Sequence, residues 1–399
     1  MQIKEIKVTP VTVPLEAPLR WSMGVETATT RSIIEIIADN GEIGIGETYG
    51  GAETVSKILQ FKKFLINEDP YNLHKIYLKF INYFRIPYET SFQPHIYAGI
   101  EIALLDLLGK DMNKSMSTLL GGRLRDRVEF SGYLFYRYEN KTNKKGGENN
   151  AEGILRYARE IIERYGFNVL KLKGGVLTPE EELRTIYLLR KELGEKVKLR
   201  FDPNAAWSVP TSINILKKME SADIEFVEDP TWGITGMSLV RRDIKIPLAT
   251  NMCVITFDQI PLAVYTRAID IIMGDIHYWG GPLQMKKVEN TAEIFSLGIS
   301  MHSDRELGVS TAAIIHYVAS SHYIIQASDT HYPHQIDDII TEPFEFKDGY
   351  VNVPKGDGLG VDIDYNKLKK YNEYYKEHGE ANEFIDPYRP EWIASLPLW

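Results

Sequence analysis

The feature that most constrains the fold is a series of eight short apolar runs between about residues 126 and 345. Amphipathic stretches with helical periodicity separate them, and the runs begin at Val128, Asn168, Lys196, Ile224, Ile246, Ile269, Gly298 and Tyr323. The first interval is 40 residues and includes the polar insertion RYENKTNKKGGENN; the others are 28, 28, 22, 23, 29 and 25 residues. One strand, one helix and two loops fit this spacing. The pattern predicts an α/β fold, a (β/α)8-type (modified TIM) barrel over residues 126–345.

The segments on either side of the predicted barrel lack this rhythm. Residues 1–50 alternate apolar and polar side chains, and Asn40-Gly41 between two such stretches is a hairpin signature. From about Val55 to Lys110 the apolar period becomes helical. We therefore predict an α+β capping domain over residues 1–125, and we expect the C-terminal segment, residues 346–399, to return to it and complete it.

Charged or polar side chains end seven of the eight apolar runs. Because the carboxyl ends of parallel barrel strands meet at one face, these side chains are expected to share one mouth. Asp202, Glu228 and Asn251 end three successive runs, and three hard oxygen ligands without sulfur are typical of a Mg2+ site. Each of the three could instead cap the following helix or pair with a lysine. Their occurrence on consecutive strands favours the metal site.

Two lysines end the second run. Lys171 and Lys173 are two residues apart, so they share one face of a strand. If that face is the lumen, burial and the neighbouring positive charge would lower the pKa of one lysine and make it a base near neutral pH. The alternative is that Leu170 and Leu172 point inward and both lysines are solvated.

A histidine and a carboxylate end two later runs on neighbouring strands. Asp275 is expected to orient the imidazole of His302 and to raise its pKa. A metal between a lysine and a histidine is suited to removing a proton next to a carboxylate, because the cation stabilises the developing charge. Lysine or histidine bases used with Mg2+ are the pattern of the enolase superfamily.

The composition narrows the classes of partner. The chain has 46 Lys and Arg against 55 Asp and Glu, a formal net charge of −9, which disfavours a nucleic-acid partner. Its single cysteine, Cys253, excludes an intrachain disulfide and a cysteine-based metal cluster. No apolar stretch reaches the ~18 residues of a membrane span, and no signal-peptide pattern is present. We expect a cytoplasmic protein whose partner is a small molecule.

The order KLK, DPN, EDP, TN, D, H resembles the mandelate racemase-type branch of the enolase superfamily. The segments YGFNVLKLKGGVL, DPNAAWS, ATNM and TEPFEFKDGYVNVPKGDGLGVDID are closest to its glucarate dehydratases, and the resemblance runs from about residue 30 to residue 380. It implies a capping domain that closes over the barrel mouth and a symmetric homo-oligomer. It also implies Mg2+-dependent dehydration of an acid sugar, with loss of the C2 proton and the C3 hydroxyl, to a 2-keto-3-deoxy acid.

The resemblance also implies a role for each matching residue. Asp202, Glu228 and Asn251 would hold the metal. Lys173 would be the base on one face, with Lys171 touching the substrate carboxylate, and His302 paired with Asp275 would be the base or acid on the other face. The positions that resemble substrate contacts are Tyr133, Phe135, Asn204, Ser303, Asp329 and His331.

Two departures from the glucarate dehydratases bear on the substrate. The loop that covers the substrate there carries a histidine, but WSMGVETATTR, residues 21–31, has none. The basic tail that meets the far carboxylate of a diacid is replaced by RPEWIASLPLW, in which Arg389 is the nearest candidate. We therefore predict a monoacid, a pentonate such as arabinonate or a hexonate. The alternatives are glucarate dehydratase proper, a racemase or epimerase of a hydroxy acid, a metal-independent Schiff-base aldolase using Lys173, and a non-catalytic sugar-acid-binding protein.

Overall fold

The structure, a computed structural model, describes residues 1–84 and 94–399. The chain begins with an antiparallel three-stranded sheet in the order β1-β2-β3, whose strands are β1 (Ile3–Trp21), β2 (Gly24–Ala38) and β3 (Ile43–Tyr49). The predicted turn at Asn40-Gly41 joins β2 to β3, and Gly41 adopts a φ of 91° there. Within the described residues, four helices follow: α1 (Ala52–Leu65), α2 (Leu73–Tyr83), α3 (Pro94–Met112) and α4 (Met116–Leu119).

The strand β3 packs directly on the backbone of α3. A methyl group at Gly44 would lie 2.1 Å from the Ala103 carbonyl oxygen, and one at Gly46 would lie 2.1 Å from that of Gly99. Only glycine permits this approach, so the glycine-rich segment GEIGIGE serves sheet–helix packing. The close contact fixes the position of the C-terminal end of β3 against α3.

The barrel consists of the eight predicted strands, all parallel. They are β4 (Arg127–Phe135), β5 (Val169–Lys173), β6 (Lys198–Asp202), β7 (Ile224–Glu228), β8 (Leu248–Thr250), β9 (Ile271–Gly274), β10 (Gly298–Met301) and β11 (Ser328–Thr330). Neighbours pair in the order β10-β9-β8-β7-β6-β5-β4-β11. A hydrogen bond links the two end strands of this order, β10 and β11. In it, Ser300 Oγ of β10 donates to the carbonyl oxygen of Ala327, the residue before β11, at 2.9 Å.

Seven helices connect the barrel strands in alternation. They are α5 (Ala151–Tyr165), α6 (Pro179–Leu193), α7 (Val209–Met219), α8 (Gly233–Arg241), α9 (Gln259–Thr266), α10 (Pro282–Ile294) and α11 (Gly308–Ser320). After β11 a single 3-10 turn, Tyr332–His334, takes the place of the eighth helix. The barrel is therefore of the predicted modified type, with an α-helix after seven of its eight strands.

The C-terminal segment returns to the N-terminal sheet, as predicted. The strand β12 (Tyr350–Asn352) pairs with β4, and the helix α12 (Tyr365–His378) then packs along β1. Asn372 Nδ2 donates to the Pro10 carbonyl at 2.7 Å, and Val25 N donates to the Ile385 carbonyl at 2.9 Å. The largest buried apolar cluster combines side chains of both modules, for example Val11 of β1 with barrel residues. Among the described residues, no helix has the length and apolar character needed to span a bilayer.

Candidate active site

The carboxyl ends of the barrel strands surround one cavity of about 180 Å³ beneath the N-terminal sheet. Strand register brings its polar side chains together, because Lys173 of β5 is paired with Asp202 of β6. The cavity is lined by Trp21, Met23, Glu26, Lys173, Asn204, Asn251, Met252, Tyr278, His302, Ser303, Asp304, His331, Glu383 and Phe384. Capping domain, barrel and C-terminal segment therefore all contribute to it.

Local sequence fixes the backbone on which two of these residues sit. The Glu182 carboxylate accepts the N–H groups of Gly175, Val176 and Leu177 at 2.9–3.0 Å, which holds the loop after Lys173. Asn204 has a φ of 46°, a left-handed conformation that asparagine tolerates. Its N–H donates to Asp202 Oδ1 at 2.8 Å.

The predicted metal ligands Asp202, Glu228 and Asn251 lie side by side. Lys171 Nζ is hydrogen-bonded to Glu228 Oε2 and lies 4.0 Å from Asp202 Oδ2, so the two carboxylates face the same point. The Asn251 side-chain amide places one terminal atom 3.0 Å from Glu228 Oε1 and the other 2.8 Å from His302 Nε2. All three side chains are buried.

The geometry of Asn251 provides a test of whether a metal fits. With nitrogen towards Glu228 the 3.0 Å contact is a hydrogen bond; with oxygen there, two acceptors face each other. Adjacent ligands of an octahedral Mg2+ with bonds of about 2.1 Å are also roughly 3.0 Å apart. The donor set and the distance between Asn251 and Glu228 thus fit this ion. Asp229 holds the backbone at Asn251, because it accepts the main-chain N–H of Asn251 at 2.8 Å and the Thr250 hydroxyl at 2.6 Å.

The two lysines face the barrel lumen but differ in environment. Lys173 Nζ donates to Asp202 Oδ2 at 2.6 Å and borders the cavity. Lys171 lies deeper, where Nζ donates to Asp329 Oδ2 at 2.6 Å and to Glu228. Although burial lowers it, these carboxylates raise the pKa of Lys171 above its ordinary value. The expectation of a lowered pKa is therefore wrong for Lys171, because neighbouring carboxylates outweigh the second amine.

His302 is paired with Asp275 across the ends of β10 and β9. The Nδ1–Oδ2 distance is 3.0 Å. Although burial opposes it, hydrogen bonds from His277 and His302 hold the pKa of Asp275 well below its usual range. Because an ionised carboxylate only accepts, His302 Nδ1 is the donor. Burial lowers the pKa of His302, but Asp275 more than offsets this and the net shift is upward. The Tyr278 ring stacks on the imidazole at 5.5 Å.

One part of the cavity wall is acidic. We call Glu26, Asp304, Glu383 and Arg305 the distal wall. The three carboxylates lie within 4.8 Å of one another. The guanidinium of Arg305 contacts all three: it is 3.5 Å from Glu26, 2.6 Å from Asp304, and hydrogen-bonded to Glu383. One guanidinium thus faces three carboxyl groups, and burial raises the pKa of Glu26 to about 7 and that of Glu383 above its ordinary value, although Arg305 opposes both shifts.

Sequence comparison assigns the chain to a family. Residues 3–121 match the sequence model described as mandelate racemase / muconate lactonizing enzyme, N-terminal domain, and residues 153–367 match the enolase C-terminal domain-like model. The chain belongs to the mandelate racemase and muconate lactonizing enzyme family of the enolase superfamily. The resemblance inferred from the motifs, and the barrel with its capping domain, are thereby confirmed.

Relatives match most or all of this family member's length. A probable glucarate dehydratase of Streptomyces coelicolor is 34% identical, with 100% of this chain and 99% of the relative covered. The D-galactarolactone cycloisomerase of Agrobacterium fabrum is 28% identical over 85% of this chain and 90% of its own. An enolase from Gibberella zeae, crystallised with magnesium, formate and sulfate, has a TM-score of 0.94 at 35% identity, covering 100% of this chain and 97% of the other.

The six predicted substrate contacts fall into two groups. Asn204, Ser303 and His331 line the cavity. Behind it, Tyr133 donates to Asp329 Oδ2 at 3.2 Å, and Phe135 packs 5.4 Å from the His331 ring. Both oxygens of Asp329 are engaged, Oδ1 by Ser131 and Arg200 and Oδ2 by Lys171 and Tyr133, so this residue holds Lys171 from below.

The cavity also contains residues to which the sequence motifs assign no role. Asp304 and Tyr278 stand within three residues of His302 and Asp275, so proximity to predicted site residues could have indicated them. Glu26 and Glu383 carried no local signal, since each reaches the cavity from a segment outside the barrel. Arg389, the candidate for a far carboxylate, instead pairs with Asp386 at 2.6 Å.

Proposed function

We propose that this protein is a Mg2+-dependent acid-sugar dehydratase, a hydro-lyase that prefers an aldonate. The observation that supports it most is the placement of two proton-transfer groups at opposite ends of one oxygen ligand set. Lys173 contacts Asp202 at 2.6 Å, and His302 contacts Asn251 at 2.8 Å. An acid sugar seated between them would present its C2 carbon to a base on either face.

We assign the metal to Asp202, Glu228 and Asn251, whose donor chemistry and spacing fit Mg2+. When bound, the ion would supply Lewis-acid stabilisation of the charge that develops on the substrate carboxylate. Asp229 and Lys171 are not ligands in this assignment. They hold Asn251 and Glu228 in place through the hydrogen bonds described above.

Lys173 and His302 then carry out the proton transfers. Lys173 or His302 removes the proton on C2, depending on the configuration at that carbon. His302 can also protonate the departing C3 hydroxyl, because Asp275 fixes its Nδ1–H and leaves Nε2 facing the cavity. Asn204, Ser303 and His331 are placed to contact the substrate hydroxyl groups.

The distal wall supports a monoacid substrate. A second carboxylate there would meet the carboxyl groups of Glu26, Asp304 and Glu383, and the guanidinium of Arg305 is already paired with all three. Like charges at such distances in a partly dehydrated cavity are strongly unfavourable. The hydroxyl groups of an aldonate chain can instead donate to these carboxylates. We further propose, from the family resemblance, that the enzyme works in the cytoplasm as a homo-oligomer.

A dehydration screen tests the function. Pentonates, hexonates and the corresponding aldarates are incubated with the Mg2+-loaded enzyme and, separately, with EDTA, and 2-keto-3-deoxy acid formation is measured. We expect Mg2+-dependent turnover with a higher kcat/KM for an aldonate. A strong preference for glucarate contradicts the monoacid assignment, and turnover that survives chelation contradicts the metal assignment.

Two variants test the roles of the bases. Lys173→Ala and His302→Asn should each lose dehydration activity, while Lys191→Ala, an exposed lysine on α6, provides the matched control. Product analysis by NMR separates dehydration from epimerisation, which would use the same two bases. Full activity in both site variants would refute the assignment, and an absence of turnover across the whole screen would favour a binding protein.

A further inference from the structure

A tyrosine of the capping domain reaches the histidine–aspartate pair of the barrel. Tyr49 ends β3, and its hydroxyl donates to Asp275 Oδ2 at 2.8 Å. The same oxygen accepts from His302 Nδ1 at 3.0 Å. Tyr49 and Asp275 are 226 residues apart in the chain, and Tyr49 is not among the residues that line the cavity.

The hydrogen bonds to Asp275 show what Tyr49 contributes. Oδ1 is fixed by two backbone donors, the N–H of His277 at 2.7 Å and that of Tyr278 at 3.1 Å. Oδ2 accepts hydrogen bonds from the imidazole of His302 and from the Tyr49 hydroxyl. The imidazole is the group to be positioned, so the Tyr49 hydroxyl is the donor that fixes Oδ2. Without that hydroxyl, the carboxylate could pivot about Oδ1 and carry the imidazole with it.

Tyr49 is itself held by contacts from both domains. The guanidinium of Arg31 lies over its ring at 4.2 Å. The rings of His277 and Tyr278 approach it at 4.7 and 5.5 Å. Burial and the nearby Asp275 raise the pKa of Tyr49 well above its ordinary value, so the hydroxyl keeps its proton and remains a donor.

We propose that Tyr49 is a positioning residue for His302, so that the capping domain completes the proton-transfer machinery on one face of the cavity. This inference rests on the proposed dehydratase function. Because Tyr49 acts through Asp275 and does not line the cavity, its loss should slow the chemical step and leave substrate binding almost unchanged. The Lys173 face should not be affected.

The test compares Tyr49→Phe with the wild type as Mg2+-loaded enzymes. The first measurement is kcat and KM for the acid sugar that the wild type dehydrates fastest. The second is C2 proton exchange in D2O with the two C2 epimers of that acid, since the epimer whose exchange His302→Asn abolishes defines the histidine face. We expect kcat to fall roughly tenfold, KM to stay within about twofold, and exchange to slow only on the histidine face.

Tyr97→Phe is the matched control. This buried capping-domain tyrosine donates to the Leu73 carbonyl at 3.3 Å, away from the cavity. It should lose stability at least as readily as Tyr49→Phe but keep the wild-type exchange on both faces. Adding Tyr49→Phe to His302→Asn should cause no further loss on the lysine face.

The outcomes separate the two proposals. Wild-type enzyme that neither dehydrates nor exchanges any acid sugar overturns the dehydratase function and this inference with it. A wild type that exchanges, together with Tyr49→Phe that keeps full exchange on the histidine face, overturns the role of Tyr49 alone. Equal slowing on both faces also overturns it, since that indicates a general structural defect.

Discussion

Glu101 is a buried carboxyl group at the contact between the capping domain and the barrel. It belongs to α3, is 1% exposed, and accepts the N–H of Leu283 at the start of α10 at 2.8 Å. Burial raises the pKa of Glu101 from its ordinary 4.5 to about 8, although the Leu283 N–H, Lys287 and Tyr97 offset part of this effect. Replacing it by glutamine removes the titrating group and keeps an oxygen for the Leu283 N–H.

The sign of the effect follows from proton binding. The folded protein binds the Glu101 proton more tightly than the unfolded chain, so this group's contribution to stability falls as the pH rises from about 4.5 to about 8. At 1.36 kcal/mol for each pH unit, the full loss is about 4–5 kcal/mol. With about 2.1 cal/mol/K of unfolding entropy per residue, 399 residues convert this to a Tm difference of roughly 5 °C.

Thermal unfolding of Glu101→Gln and wild type between pH 5 and pH 9 measures this difference. We expect nearly equal Tm values at pH 5 and a variant that is about 5 °C more stable at pH 8.5. Glu163→Gln, which changes an exposed carboxylate on α5, is the control and should follow the wild type at every pH. A Tm difference between Glu101→Gln and wild type that does not change with pH would refute the reasoning.

Three further predictions concern the site. Lys171→Met should lower the free energy of unfolding by about 3–5 kcal/mol in denaturant titrations, because buried Glu228 would lose its ammonium partner and Asp329 would keep only Arg200; wild-type stability would contradict this. Mg2+ at 100 times its Kd should stabilise the wild type by about 2.7 kcal/mol and Asn251→Ala by less, and an unchanged wild-type Tm argues against the site. Glu383→Gln should raise kcat/KM for aldarates relative to aldonates by about tenfold, and an unchanged ratio would exclude a role for the wall's charge.

The barrel strands could be predicted because each carries its own local signal. A buried parallel strand is a short apolar run, and its C-terminal end is polar here, so KLK of β5 and the Asp-Pro-Asn that begins at the end of β6 can be identified without any knowledge of the fold. The missing eighth helix was not predictable from spacing, since the run at Tyr323 is followed by as many residues as the others. What distinguishes it is the 3-10 turn Tyr332–His334, in which His334 is buried, and that depends on packing.

The site was predictable to the extent that its residues end barrel strands. Sequence placed Asp202, Glu228 and Asn251 on successive strands, and the structure brings them together. The sequence could not show how many carboxylates surround Lys171, because Asp329 approaches from a strand 158 residues away in the chain. Contacts from outside the barrel, such as the Tyr49 bond to Asp275, follow only from how the two domains dock.

That docking is determined by the same strand that carries Tyr49. Glu47 and Tyr49 are two residues apart on β3, so their side chains lie on one face. The Glu47 carboxylate accepts the N–H groups of Leu307 and Ser310 at 2.8 and 2.9 Å, where α11 begins, and its Oε1 lies 3.5 Å from buried Arg31. The loop that carries His302 leads into α11. Glu47 therefore binds the start of α11, after the histidine, while Tyr49 binds Asp275 at the end of β9, before it. A capping domain that only covered the cavity would need neither the Glu47 bonds to α11 nor the Tyr49 bond to Asp275. A shift of β3 would disturb both sets of hydrogen bonds together.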